Sequence, residues 1–209
     1  YLRISVKNES PKAEGQDPGY VSSTLHNKVK ENDVIELSAP TGNFFLFNPE
    51  KTNVLISAGI GLTPMMAMLN QLLTGNTDPN EKVTLWEKIK ANFNKPEPKN
   101  PINFIHAVRN SRVHAMKETV QDLAKKHDNL NVFVAYEQTD SKDVLGRDYH
   151  AEGRLNLKQL DAKMLPKDAD YYLCGPIPFM QVQHKALLEL GIPAQNIHSE
   201  AFGTGGVAL

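Results

Sequence analysis

From Asn53 onward the chain alternates short apolar runs with amphipathic segments of helical period, and this alternation narrows the fold more than any other feature. Strands are expected at 53–58, 102–108, 131–136, 170–174 and 196–200, with helices at 64–73, 114–127, 156–164 and 177–190 between them. Strand and helix in turn are the signature of crossover units, so these residues predict an α/β domain built on a parallel five-stranded, Rossmann-like sheet. The last helix is entered through Pro176 and Pro178 and stopped by Gly191, the usual end signal. Ligands of open parallel sheets gather at the carboxyl ends of the strands. The loops at 58–63, 107–112, 136–154, 174–178 and 200–206 emerge there, so five loops converge on one crevice.

The first of these loops carries the most chemistry. Between Asn53 and Leu69 the chain reads NVLISAGIGLTPMMAML, an apolar strand breaking into Gly-x-Gly-x-Thr-Pro and then a helix. Gly59 and Gly61 let backbone approach a ligand and permit a positive φ. Thr63 is a good N-cap, and Pro64 suits the first helical position. The unpaired N–H groups and positive end of such a helix seat a phosphate. A branched side chain at Gly61 is expected to stand where backbone meets that phosphate, although any strand-to-helix crossover can need glycine for packing alone. The third glycine of Gly-x-Gly-x-x-Gly is replaced by Pro64, which departs from the commonest dehydrogenase fingerprint.

Composition restricts the partners. A formal net charge of -1 and no basic tract remove the electrostatic basis for binding nucleic acid, leaving small molecules. One cysteine, Cys174, excludes an internal disulfide framework, and no Cys/His cluster has metal-ligand spacing, so no metal site is expected. No apolar run reaches the roughly 18 residues of a membrane span, and a cytoplasmic setting is the expectation. The chain opens inside the strand-like run YLRISVK, which points to a natural N-terminus further upstream.

Ahead of Asn53 the pattern is different: β-like runs at Tyr1 to Lys7 and Val34 to Ser38 flank GYVSSTLHNKV, where Ser22 is a credible N-cap and a second anion seat. The stretch 74–101 is rich in Pro, Asn and Lys and long for a connection, so it reads as an insertion carrying a short helix over Val83 to Phe93. Arg109 and Arg112 follow the second βα strand, where an acid would bond the ribose of NAD and an arginine suits a 2′-phosphate, which tilts the reading toward tolerating NADPH; solvated loop arginines are the alternative, and the choice between NADH and NADPH stays open. Tyr171 to Met180 (YYLCGPIPFM) repeats the strand, glycine and proline-opened helix. Glu200, Phe202 and Gly203 end the chain's last strand with an acid, a ring and a glycine able to face a flat cofactor; Phe202 as a core plug is the alternative.

The ordered set GYVSSTLH, APTGNFF, LISAGIGLTPMMAML, FIHAVRNSRVHAM, YYLCGPIPFMQ and IHSEAFG resembles the ferredoxin–NADP reductase-like superfamily and, within it, the reductase part of the flavohaemoglobins, the nitric oxide dioxygenases. The resemblance implies residues 1–48 as the last part of an antiparallel FAD-binding β-barrel, incomplete here, and 49–209 as the NAD(P)H-binding α/β domain. Gly59, Ile60, Gly61, Leu62, Thr63 and Pro64 match the nicotinamide-nucleotide loop; Cys174, Gly175 and Pro176 match the segment beside the nicotinamide. Gly19, Val21 and Ser22 match the helix start under the FAD pyrophosphate. Glu200 matches an acid that tunes flavin and haem potentials, and Ala201, Phe202, Gly203 and Thr204 match the segment closing over the isoalloxazine. The family's Arg-x-Tyr-Ser flavin motif is expected ahead of YLRISVK, so little flavin is expected to be retained by these residues alone. A globin domain with haem b is expected further upstream, where electrons from NAD(P)H and FAD let NO and O2 become nitrate. Reductase components of oxygenases, cytochrome reductases and a non-catalytic dinucleotide sensor are the alternatives.

Overall fold

A computed structural model describes residues 4–8, 11, 15–39, 41–74 and 100–201. Phe202, Gly203, Thr204, residues 1–3 of the first β-like run and residues 75–99 of the expected insertion lie outside the described residues. The chain divides into two units, Tyr1–Asn43 and Phe44–Leu209.

In the first unit the regular element is helix α1 (Tyr20–Asn27). Its N-cap is Gly19, not Ser22, whose hydroxyl donates to the Gly19 carbonyl at 3.1 Å from inside the first turn. The expected strands do not form among residues 4–8 and 33–39. A barrel strand is held by its neighbours' ladders and a packed face. Here Val34 is 95% exposed and Leu37 58% exposed, and no described segment of this unit pairs with them.

The second unit is a parallel sheet of six strands: β1 (Asn53–Ala58), β2 (Ile102–Val108), β3 (Leu130–Tyr136), β4 (Ala151–Glu152), β5 (Asp170–Gly175) and β6 (Ile197–Ala201). Their order across the sheet is β4-β3-β2-β1-β5-β6. The α/β class holds, with one strand more than expected: β4 is two residues paired to Ala135 and Tyr136, too short to leave a period in the sequence. Every residue of β1 and of β5 is buried, because helices cover both faces. Leu55, Phe104 and Tyr172 pack on one face against α2 (Leu62–Thr74) and Val120 of α3 (Lys117–Lys126). On the other, Val54, Ile56, Ile105 and Leu173 meet Met180 and Leu187 of α4 (Ile177–Glu189).

The helix expected at 156–164 is instead two 3-10 turns, Leu157–Gln159 and Ala162–Met164. Asn156 and Asp161 accept from the backbone N–H groups of Lys158 and Lys163, and such local side-chain bonds compete with continuous helix. Leu160 between them is extended.

Candidate functional site

From β1 the chain adds β2 and β3 on one side, then returns to place β5 and β6 on the other. The reversal of strand order lies between β1 and β5, and the crevice outside such a switch point is where open α/β sheets take ligands. Two sequence-expected loops meet there: Gly59 to Pro64 leaves β1, and Gly175 to Pro176 leaves β5.

The two glycines of the first loop do different things. Gly59 is exposed with φ +54°, a left-handed conformation that favours glycine, and a Cβ built on it meets nothing within 4 Å. Gly61 is buried, and a Cβ there would overlap the backbone carbonyl of Cys174. At Gly61 the structure shows the packing alternative: the glycine keeps space for β5. Gly175 answers from the other side, where a Cβ would stand 2.9 Å from Phe179 Cδ1 and 3.2 Å from the Cβ of Ala58. The two loops are thus stitched by close backbone packing, and the open backbone of Gly59 lies above the seam.

Helix α2 begins at Leu62 behind a 3-10 turn at Gly59–Gly61, two residues earlier than expected. Thr63 is not its N-cap; its hydroxyl donates to the Ile60 carbonyl at 3.1 Å from within the first turn. Pro64 is the third helical residue, still among those whose N–H has no intrahelical partner. The positive end of α2 lies at the carboxyl end of β1, with the Leu62 N–H already donated to the carbonyls of Gly59 and Ile60 in the 3-10 turn.

Cys174 is buried with Leu55, Leu62 and Tyr172, and burial followed by the neighbouring Glu200 pushes its thiol up to about 12. It is a neutral thiol, unsuited to nucleophilic attack. Glu200 sits opposite it in the β5–β6 ladder, exposed on the edge strand, with Ala201 opposite Gly175.

On the β2 side, the expected arginines separate. Arg109 is exposed and has no side-chain hydrogen bond or ion pair among the described residues. Arg112 is already paired, its Nη2 donating to Asp140 Oδ2 at 2.9 Å. Beside them a cleft of about 340 Å³ is lined by Ser111, His114, Met116, Lys117, Glu118 and Thr119.

The floor of this side is a polar chain that the sequence did not announce. Ser57 Oγ lies 2.8 Å from His106 Nδ1, the His106 and His114 rings are 5.6 Å apart, and His114 Nδ1 lies 2.8 Å from the Tyr136 hydroxyl. Burial first, then His114, brings His106 down to about 3; burial and Lys117 bring His114 down to about 4. Both imidazoles are neutral at pH 7. Ser57 and His106 are register partners on adjacent strands, a relation invisible until the pairing is known.

Among the described residues no three His, Cys, Asp or Glu side chains gather to hold a metal, and no helix is long and apolar enough to cross a membrane.

Comparison with known proteins places relatives around this geometry. Residues 55–185 match the family model of the oxidoreductase NAD-binding domain. The flavohemoprotein of Bordetella pertussis is 44% identical over 208 residues, which are 99% of this chain and 46% of that protein. That of Chromobacterium violaceum is 45% identical over 206 residues, 98% of this chain and 45% of its own length. The chain therefore spans about half the length of these relatives. Among solved structures, the flavohem-like FAD/NAD-binding domain of nitric oxide dioxygenase from Vibrio cholerae superposes with a TM-score of 0.70 at 34% identity, covering 94% of this chain and 70% of that one.

Proposed function

Because the chain belongs to the oxidoreductase NAD-binding family and, within it, to the FAD/NAD-binding part of the flavohaemoglobins, we propose that it is the NAD(P)H-to-FAD reductase part of a nitric oxide dioxygenase. The observation that carries the reading is Gly59: exposed, left-handed, with open space above it, at the strand-order reversal and beside the helix α2 N-terminus. A dinucleotide pyrophosphate fits there, held by the backbone at Gly59 and Ile60 and by the helix dipole. Gly61, Leu62 and Pro64 shape that turn.

In this reading the dinucleotide lies along the rim of strand ends. Adjacent strands are about 4.8 Å apart, so its adenosine half reaches over β2 toward Arg109 while the nicotinamide half lies over Gly175 and Pro176. Cys174 contributes packing and a neutral thiol, and Glu200 contributes charge near the nicotinamide end. Gly19, Val21 and Ser22 at the start of α1, with Ala201, Phe202, Gly203 and Thr204, are the residues we assign to FAD. FAD, when bound, converts a hydride pair into single electrons. The protein's part is to fix the nicotinamide against the flavin and keep both oriented. Residues 1–48 as the FAD-binding part, a haem-bearing globin domain as the electron acceptor, NO and O2 as substrates, and a cytoplasmic setting belong to the same reading.

The test is steady-state NADH oxidation and nitrate formation by the full-length protein and its Gly59→Val variant. The variant is expected to raise the KM for NADH about tenfold or more with flavin content retained, since its side chain fills the space above the turn. An unchanged KM contradicts the cradle. A protein that binds NADH but neither carries flavin nor oxidises NADH is a sensor, and one that reduces other acceptors without forming nitrate is a different reductase.

A further inference from the structure

The rim over β2 and β3 holds an ion pair that bears on which dinucleotide enters. β3 continues past its end alongside β2, with Glu137 N donating to the Val108 carbonyl and Gln138 N to the Arg109 carbonyl, both at 2.9 Å. This docks residues 137–140 against residues 108–112 and sets Asp140 opposite Arg112. Both partners are held from behind. Arg112 N donates to Asn110 Oδ1 at 3.2 Å, while Asp140 N donates to Asp143 Oδ2 at 2.8 Å and Asp143 N returns to the Asp140 carbonyl at 2.9 Å.

We infer that the Arg112–Asp140 pair is the specificity element of the nucleotide site, neutralising the cation that would receive a 2′-phosphate and leaving a carboxylate to accept from a 2′-hydroxyl. The inference rests on the dinucleotide reading above and deepens it. The position is the one at which parallel-sheet nucleotide sites read the adenosine ribose: an acid bonds the 2′-hydroxyl, an arginine accommodates the 2′-phosphate. Here both are present and spent on each other. A phosphate approaching Arg112 meets Asp140 within hydrogen-bond range of the same guanidinium, so attraction and repulsion nearly cancel. A ribose hydroxyl meets no such opposition: Arg112 donates to Oδ2 at 2.9 Å, Ser141 makes a long 3.3 Å contact to Oδ1 and the Lys142 backbone also bonds the carboxylate, whose exposed oxygens keep lone pairs for one more donor. The Arg112 hydrogen bond holds the Asp140 carboxyl below its ordinary value of 3.8, so the carboxylate stays charged at pH 7. Arg109 has no ion pair among the described residues, but Asp140 faces Arg112, and that pairing argues against the tolerance of NADPH drawn from the two arginines in the sequence.

The experiment compares adenosine 5′-monophosphate with adenosine 2′,5′-bisphosphate by calorimetric titration of the 209-residue chain, and NADH with NADPH turnover in the full-length enzyme. Wild type is expected to bind the monophosphate more tightly. Asp140→Asn frees Arg112 and is expected to shift the ratio of the two Kd values about tenfold toward the bisphosphate. Adding Arg112→Gln to that variant should abolish the gain, and raising the salt concentration should shrink it, which a merely structural role for the pair would not produce. Melting curves should remain close to wild type, because Arg112 is 80% exposed and such pairs add little to stability. Tight binding of both nucleotides with a ratio unmoved by Asp140→Asn, or a wild type that prefers the bisphosphate, overturns this inference alone. Binding of neither nucleotide fails the cradle reading itself.

Discussion

Gly59 and Gly61 are separated by one residue and have opposite duties, which gives the residue scale its sharpest prediction. Gly61→Ala should destabilise the fold by about 2 kcal/mol or more, because the new methyl group overlaps backbone of β5 that cannot swing away. Gly59→Ala should cost about 1 to 2 kcal/mol for the left-handed conformation and lose NADH affinity in addition. Urea unfolding of both variants checks the stability order, and equal losses would contradict the packing role of Gly61. His106 supplies a pH signature. Its folded value of about 3 lies below its ordinary 6.5, so the unfolded chain takes up the proton first. It makes no difference above pH 6.5, and stability falls as pH drops from there toward 3, by up to about 1.4 kcal/mol per pH unit. His114 adds a loss of the same sign. His106→Gln should therefore flatten the dependence of the melting temperature between pH 7 and pH 5; an unchanged slope would show that His106 is not buried neutral.

At the scale of elements, the loop between β3 and β5 is fastened to α3 by a buried carboxylate, Asp148, and by Gln121 Nε2 donating to the Arg147 carbonyl at 2.8 Å. Asp148 takes ion pairs from Lys117 at 2.6 Å and Arg147 at 2.7 Å and accepts from Val144 N at 2.8 Å. Arg147 first, with Lys117 and Val144 also contributing, holds Asp148 well below its ordinary 3.8, so the clasp is complete above that pH and is lost as pH falls below it. Asp148→Asn should cost about 2 to 3 kcal/mol by leaving Lys117 half-buried without its anion, and denaturant unfolding at pH 7 reads it. A loss below about half a kcal/mol would mean that the clasp is not formed in solution. Elements legible in the sequence were those whose period or punctuation is local: the buried runs of β1, β2 and β5, and the proline and glycine that bracket α4. The turns at 156–164 look helical in sequence because Leu155, Leu157, Leu160 and Met164 keep an apolar spacing compatible with helix, while Asn156 and Asp161 cap each turn separately. Features made by pairing distant strands left no local trace. Gly61 against Cys174, Ser57 against His106, and Arg112 against Asp140 all depend on register or on loops brought together by the sheet.

For the whole molecule, the strand order β4-β3-β2-β1-β5-β6 brings these local pieces to one end of the sheet. It sets the open backbone of Gly59 at the reversal, Gly175 and Pro176 on one side, and Arg109, Arg112 and Asp140 on the other. Membership of the flavohaemoglobin reductase family makes the chain part of an oxidoreductase, while the relatives' greater length leaves the electron acceptor to be tested in the full protein. The central claim is that a nicotinamide dinucleotide lies across the β1–β5 switch with its pyrophosphate on Gly59. The direct measurement is an amide-resolved NMR titration of the 15N-labelled chain with NADH. The account predicts shifts concentrated at Gly59 to Thr63, at Gly175 and at Arg109 to Arg112. Saturable shifts elsewhere on the sheet, with Gly59 to Thr63 unmoved, would contradict it.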